Sequence, residues 1–322
     1  MSLAFAFVLD PLDALYFAED TSFWLMKECQ RRGHKVFAVE DSDLTLVGTT
    51  PTGRALPVAM DLAKGWVAQG PLEPRPLESF DCVFMRKEPP FDLSYLYATY
   101  ILGLIPSGTF VINEPRGLRE ANEKLYSLNF PSLIPESLVA SAKQELLEFL
   151  AEVGGAMVVK PLGSYGGQDV FVCRSDDPNL GAILDSVTDK GRLLVLAQRY
   201  LSEVVHDGDK RILLLNGEPL GAFLRRPSSG DHRANISAGG VAEPAEMLAS
   251  DRALCAALKP RLVEDGLYFV GLDVIGGLVT EINVTCPAGV YEIDRFNDVN
   301  SAAPVIDFCE VQVATRRAAS SS

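Results

Sequence analysis

The chain has 322 residues, 48% of them apolar and 22% charged, and a formal net charge of −14. That length suits about two domains, and the acidic balance excludes nucleic acid, which is bound through a basic footprint. No apolar run approaches the roughly 18 residues a membrane span needs, and the six cysteines and three histidines show neither C-x-x-C nor H-E-x-x-H spacing.

Residues 3–9 read as a buried strand ended by Asp10-Pro11. With no basic flank this start is not a signal peptide, so free thiols in the cytoplasm are expected. Asp20 or Thr21 caps a helix to Arg32 that Gly33 stops. Residues 35–40 are a second strand, and the chain opens as a β-α-β unit. No G-x-G-x-x-G follows the first strand, which removes the dinucleotide reading. Gly48 to Arg54 has phosphate-loop spacing, but Arg-Ala stands where Lys-Ser/Thr is required. A strand over 81–85 runs into the charged loop Arg86-Lys87-Glu88-Pro89-Pro90. A helix from about Asp92 and a strand over 109–112 complete an open α/β domain.

A helix is expected across 116–130. Ser141 with Gln144 then forms a capping-box pattern for a helix to Val153. Residues 157–160 and 170–173 read as strands around a glycine-rich loop. Residues 211–215 and 219–225 flank Asn216-Gly217, a two-residue hairpin signal. The expected fold is an open α/β domain, residues 1–121, followed by an α+β domain, residues 122–322. The second domain divides into a 122–201 lobe with the glycine-rich flap and a hairpin-rich 202–322 lobe.

The sharpest chemical pattern is Val270-Gly-Leu-Asp-Val-Ile-Gly-Gly-Leu-Val-Thr-Glu-Ile-Asn-Val284. Both halves alternate with period two. Their apolar faces coincide only if the turn holds an odd number of residues, so a three-residue turn at Ile275-Gly276-Gly277 is expected. That register puts Asp273, Glu281 and Asn283 on one polar face, a hard-oxygen set suited to Mg²⁺. The alternative is a solvated face, which the strongly apolar flanking strands disfavour.

Lys160-Pro-Leu-Gly-Ser-Tyr-Gly-Gly167 ends one strand and leads into another, not into a helix. It is no Walker-type loop, and it fits a flap whose amides close over phosphates; the alternative is a glycine-rich hairpin. Lys124, Lys160, Lys210, Arg211 and Arg225 form a cationic set, with both arginines at one end of the Asn216-Gly217 hairpin. Two guanidinium groups there suit a carboxylate or phosphate clamp. Asp207, Asp209 and Glu218 match three EF-hand positions, but Arg211 and Ile212 fill positions that need an oxygen ligand and a glycine, which excludes calcium. Residues 226–240 are polar, and a loop of this length in a compact domain reads as a functional lid or as disorder; its Arg233-Ala-Asn-Ile-Ser-Ala-Gly-Gly end suits a lid that touches an anionic ligand.

These features in this order resemble the ATP-grasp superfamily. The strings Met85-Arg-Lys-Glu-Pro-Pro-Phe-Asp92, Tyr97-Ala-Thr-Tyr-Ile-Leu102, Asn122-Glu-Lys-Leu125, Asp207-Gly-Asp-Lys-Arg211 and Glu281-Ile-Asn-Val-Thr285 are similar to those of the bacterial glutathione synthetase family. The resemblance implies a Rossmann-like (pre-ATP-grasp) substrate domain followed by an ATP-grasp domain. It implies ATP-driven joining of γ-glutamylcysteine to glycine through an acyl phosphate, in a homodimer or homotetramer. It assigns ATP to Lys124, Lys160, Asp209, the flap Gly163, Ser164, Tyr165, Gly166 and Gly167, and the adenine segment Gln198, Arg199, Tyr200 and Leu201. Two Mg²⁺ ions, with Mn²⁺ as a substitute, fall to Asp273, Glu281 and Asn283. Arg211, Arg225, Arg233 and Asn235 face the acyl phosphate and the incoming amine. The chain departs from the family's usual residues at Gly163-Ser164, at Cys286 and at Tyr291. Two other readings stand beside this one: a ligase of the same mechanism for a different acid and amine, and a nucleotide-binding module without catalysis.

Overall fold

The computed structural model describes residues 2–228, 234–236 and 239–320. β1 (Ala4–Leu9), α1 (Thr21–Arg31) and β2 (Lys35–Val47) form the expected β-α-β opening, with β1 and β2 parallel. Asp20 caps α1 by accepting from the Phe23 amide at 3.1 Å. β2 outruns its expected end because it passes a bulge between Val39 and Leu44 into a hairpin with β3 (Thr50–Asp61). The phosphate-loop spacing at Gly48 therefore sits in a hairpin turn, and Gly48 has a φ of +62°. β4 (Gly65–Ala68) and β5 (Glu73–Pro76) both pair with β3. β6 (Cys82–Met85), α2 (Leu93–Leu102) and β7 (Phe110–Ile112) complete a first sheet in the order β4-β3-β2-β1-β6-β7.

The expected helix over 116–130 does not form as one piece. α3 (Pro115–Glu120) ends at Ala121, whose φ and ψ of −107° and 87° leave the helical region. Asn122 Oδ1 then accepts from the amides of Lys124 and Leu125, both at 3.1 Å. This side-chain turn competes with the helix, and only a short 3-10 helix, Tyr126–Asn129, follows.

β8 (Ser137–Ala140), α4 (Lys143–Glu152), β9 (Ala156–Pro161), β10 (Phe171–Arg174), α5 (Leu180–Val187) and β11 (Val195–Arg199) build the second sheet, order β10-β9-β11-β8. The capping box at Ser141 is not made: Ala142 occupies the N-cap and no side chain caps α4. The helix starts one residue too late for Ser141 to reach its amides.

After α6 (Glu203–His206) come β12 (Asp209–Leu215), β13 (Glu218–Arg226), β14 (Val241–Pro244), α7 (Ala249–Glu264), β15 (Phe269–Ile275) and β16 (Leu278–Asn283). The strands form an antiparallel third sheet, order β14-β13-β12-β15-β16. α8 (Val290–Asn297) and α9 (Ala302–Ser320) end the chain. α9 lies last in the sequence yet buries Val305, Ile306 and Cys309 against Phe5, Phe7 and Cys29 of the first domain.

Two cores join the first and third sheets. One holds Ala6, Val8 and Tyr95 with Leu272 and Ile282; the other holds Phe5 and Phe84 with Phe223 and Phe269. Asn113 adds polar ties, donating to Phe269 O at 2.8 Å and Val284 O at 3.0 Å and accepting from Phe269 N at 2.7 Å. The second sheet has its own core around Leu146, Phe149, Val159, Leu184 and Ala197. Among the described residues no helix is long and apolar enough to cross a membrane.

Candidate active site

The hairpin β15–β16 builds one wall. Gly276 and Gly277, at φ +57° and +80°, make a two-residue turn with Ile275 paired to Leu278, not the expected three-residue turn. Positive φ at both central positions is what such a turn requires. A bulge beside Val274 shifts the register, so that Asp273 pairs with Glu281 and Gly271 with Asn283. The bulge supplies the odd residue that the turn lacks. Asp273, Glu281 and Asn283 therefore share one face, as the apolar pattern demanded.

A cleft opens between this wall and the second sheet. Lys124, Lys160, Ser164, Tyr165, Gly166, Gly167, Gln198, Arg199, Tyr200, Leu201, Asp209, Asn235, Asp273 and Glu281 all border it. Gly163, expected with them, borders a smaller neighbouring pocket instead. The flap turns at that point, with Ser164 N bonded to Pro161 O at 3.3 Å. Arg233 lies outside the described residues. A second cleft of about 1060 Å³ adjoins the first and is bordered by Arg211, Arg225, Asn283 and Cys286. Glu281, Asn235, Tyr165 and Gly166 border both.

The charged groups are already paired. Lys124 Nζ bonds Glu281 Oε1 at 3.0 Å and also donates to Ser164 O of the flap. Lys160 Nζ donates to Gln198 Oε1 at 3.0 Å and Thr280 O at 3.2 Å. Burial lowers the Lys160 ammonium below the ordinary lysine value, and Glu281 acts against it.

The carboxylate that Arg211 and Arg225 clamp is the protein's own Asp273. Arg211 Nε donates to Asp273 Oδ1 at 2.6 Å and its Nη2 to Oδ2 at 3.2 Å. Arg225 Nη2 lies 2.9 Å from Asp273 Oδ1 and donates to Asp209 Oδ2 at 2.5 Å. Burial alone would raise the Asp273 carboxyl, but Arg211 and Arg225 outweigh it and hold it well below the usual carboxylate range. Burial pushes Asp209 up to about 6 despite Arg225, with Asp273 adding to the rise. Arg211 also spends Nη1 on Ala288 O at 3.2 Å. Among the described residues, Arg225 Nε and Asp209 Oδ1 are buried and find no hydrogen-bond partner, a costly state that a ligand would relieve.

Several residues that the sequence reading did not assign to the site hold this arrangement. Glu123 Oε1 accepts from Val284 N at 2.8 Å, Thr285 N at 2.9 Å and Thr285 Oγ1 at 2.7 Å, while its carbonyl takes Ile282 N at 3.1 Å. Asn122 Nδ2 donates to Leu162 O at 3.1 Å, so residues 122–124 splint the flap to the hairpin. Arg86 donates to Ser22 Oγ at 3.0 Å and Pro287 O at 3.1 Å. Thr21 Oγ1 accepts from Gly289 N at 3.1 Å. The first domain thus grips the 285–290 loop that floors the second cleft. The sequence signals for them were the Asn122-Glu-Lys run, the charged 86–90 loop and the helix-cap pattern at Asp20-Thr21. Tyr291 stacks on Trp24, ring centroids 6.3 Å apart.

Among the described residues no three His, Cys, Asp or Glu side chains form a metal cage. A partial oxygen shell is what Mg²⁺ takes from protein when phosphate and water complete it, and Glu281 with Asn283 fits that. Asn283 commits its Nδ2 to Gly271 O at 3.3 Å, leaving Oδ1 as its ligating atom. Asp273 gives Arg211 and Arg225 most of its roughly four lone-pair sites but keeps one on Oδ2.

Two family models match the chain: the N-terminal domain of prokaryotic glutathione synthetase over residues 3–119, and its ATP-grasp domain over residues 123–298. The chain belongs to the prokaryotic glutathione synthetase family. It is 44% identical to the glutathione synthetase of Synechococcus elongatus, over 96% of this chain and 98% of that one. It is 41% identical to that of Nitrosomonas europaea, over 97% and 98%. Among solved structures, the D-cycloserine synthetase DcsG superposes with a TM-score of 0.67 at 16% identity, over 95% of this chain and 99% of that one. The ATP-grasp ligase PsnB does so with a TM-score of 0.62 at 16% identity, over 97% and 99%; at these identities the likeness is one of fold. The chain is an ATP-dependent ligase of the ATP-grasp fold, and its substrates are small molecules that include ATP.

Proposed function

We propose that the chain joins γ-glutamylcysteine to glycine, with ATP cleaved to ADP and phosphate, and so makes glutathione. The observation that carries the reading is that the two clefts meet at Glu281. A nucleotide in the first and a carboxylic acid in the second would bring phosphate and carboxylate together there.

The cysteinyl carboxylate attacks the γ-phosphorus of ATP, the bond to ADP breaks, and an acyl phosphate forms. The glycine amine then adds to the acyl carbon, loses a proton and expels phosphate. Lys124 and Lys160 hold the ATP phosphates, and Gln198 to Leu201 with Asp209 receive the adenosine. Backbone of the 163–167 flap covers the phosphates. Glu281 and Asn283 hold Mg²⁺, two ions with Asp273 completing the set. The metal, when bound, offsets phosphate charge that otherwise repels the attacking carboxylate. Arg225, whose Nε finds no partner among the described residues, meets the acyl phosphate, with Arg211 and Asn235 beside it; Arg233 is assigned to the same region. A water-labile intermediate gives the polar 226–240 segment, of which 229–233 and 237–238 lie outside the described residues, a reason to cover it.

On this reading residues 1–121 are the substrate domain and 122–322 the ATP-grasp domain, with α9 returning to brace the first. The enzyme works in the cytoplasm, which its six buried free cysteines suit, as a homodimer or homotetramer. The test is the mass of the product from ATP, Mg²⁺, γ-glutamylcysteine and glycine. ADP release with another acid and amine, and none with this pair, would sink the substrate assignment.

A further inference from the structure

α2 is apolar on both sides. Tyr95, Ala98, Thr99 and Leu102 face the first domain's core and are buried. The outward side of a helix on a sheet is ordinarily polar. Here it carries Leu93, Tyr97, Tyr100 and Leu104, which are 64%, 57%, 53% and 54% exposed. Their spacing puts them on one stripe, and Leu104 stays in line because its amide bonds Ile101 O at 3.1 Å. No charged residue stands between positions 93 and 104. A contiguous apolar stripe of this kind marks a contact surface, and tyrosine is enriched in such contacts.

We propose that this stripe is the twofold contact with a second copy of this chain, α2 lying antiparallel on α2. The pattern Leu, Tyr, Tyr, Leu reads the same in both directions, with gaps of four, three and four. A twofold axis midway between Tyr97 and Tyr100 sets Leu93 against the partner's Leu104 and Tyr97 against the partner's Tyr100. An isologous contact requires this kind of self-complementary patch.

The surroundings fit the same operation. A stable interface buries roughly 800 Å² per partner, more than four half-exposed side chains supply, so the footprint extends onto α3. There Arg116 and Glu120, with side chains 79% and 55% exposed, pair with each other at 2.8 Å and present one base and one acid, which a twofold turn would set near their opposites on the partner. Tyr100 is ordered in advance: the Arg119 guanidinium lies 4.8 Å from its ring centroid and donates to Thr99 O at 2.8 Å. An ordered aromatic anchor loses less entropy on docking.

This names the face behind the assembly offered above, and the two fail separately. Light scattering on Tyr97→Glu/Tyr100→Glu should give half the wild-type mass, with the far-UV circular dichroism unchanged. A double variant of wild-type mass keeps an oligomer but removes this face, and a monomeric wild type removes both. The axis has its own test, which does not depend on the charged variant folding. Leu93 and Leu104 lie about 16 Å apart along a helix axis, and all six native cysteines are buried. A short bis-maleimide should therefore link Leu93→Cys chains to Leu104→Cys chains in a mixture, and leave each variant alone unlinked. Linking within either variant alone, or none in the mixture, would overturn the antiparallel contact.

Discussion

The two walls of the first cleft are built differently. The β15–β16 wall belongs to cores that run into the first domain, and Asn113, Arg86 and Thr21 pin its ends. The wall formed by β9, β10 and the glycine-rich flap packs on its own core and meets the hairpin through Asn122, Lys124 and Lys160. Most of the charged side chains proposed for the chemistry sit on the braced wall, with Lys160 on the other. Backbone groups that must close over a ligand sit on the wall with fewer ties. Precision and closure thus reside in different parts of one cleft.

If this division holds, substitutions on the braced wall should strike turnover and those on the flap should strike ATP affinity. The largest effect is expected for Glu281→Gln, which keeps the shape but removes the charge where the clefts meet. Turnover should fall by at least about a hundredfold with the far-UV circular dichroism unchanged, although the lost pairing with buried Lys124 should lower the melting temperature; near-normal turnover would remove Glu281 from the chemistry. Arg225→Ala comes next, with a loss of about a hundredfold in kcat and little change in ATP affinity by calorimetry. It also leaves Asp209 facing Asp273, so stability should drop by about 3–5 kcal/mol. A loss confined to ATP affinity would contradict the role assigned to Arg225.

Glu123→Gln sharpens the comparison, because it loosens the splint without touching either cation. We expect kcat to fall about tenfold, with the KM for ATP within about twofold; an unchanged kcat would show that the Thr285 contacts are packing alone. On the flap, Gly167 has a φ of +77°, which a side chain adopts only with strain. Gly167→Ala should raise the KM for ATP severalfold while kcat changes less; the reverse pattern would erase the division of labour.

The smallest effect concerns pH. Asp209 titrates near 6 in the fold, above the roughly 3.9 of an unfolded aspartate. A group raised in this way contributes stability that is complete below the unfolded value and is lost as pH rises through the folded one. Asp209→Asn should therefore gain on wild type between about pH 4 and pH 6, by on the order of 2 kcal/mol. Thermal unfolding across that interval measures it, and a flat difference would show that Asp209 is not raised. Asp273 has the opposite sign: its contribution holds above about pH 4 and is lost only as pH falls below that.

Much of the fold was legible in local patterns. The β-α-β opening, the two hairpins and the shared face of Asp273, Glu281 and Asn283 all follow from period and turn chemistry. The face was legible although the turn was not, because burying Leu272 and Ile282 fixes parity and the bulge makes up the missing residue. The broken helix after Ala121 was not legible, since Asn122 reads as an ordinary helix residue until its side chain turns back on Lys124 N. β3, β4 and β5 were missed because their alternation is weak and prolines punctuate it.

By itself, then, the sequence determined on which face of their strands Asp273, Glu281 and Asn283 lie, because alternation and turn residues act over a few positions. Only the tertiary structure decided who partners whom. Arg211 and Arg225 clamp Asp273, Glu123 anchors Thr285, and α9 returns to the first sheet. Each of these joins residues far apart in the chain, where no local period constrains the outcome and packing with charge pairing does.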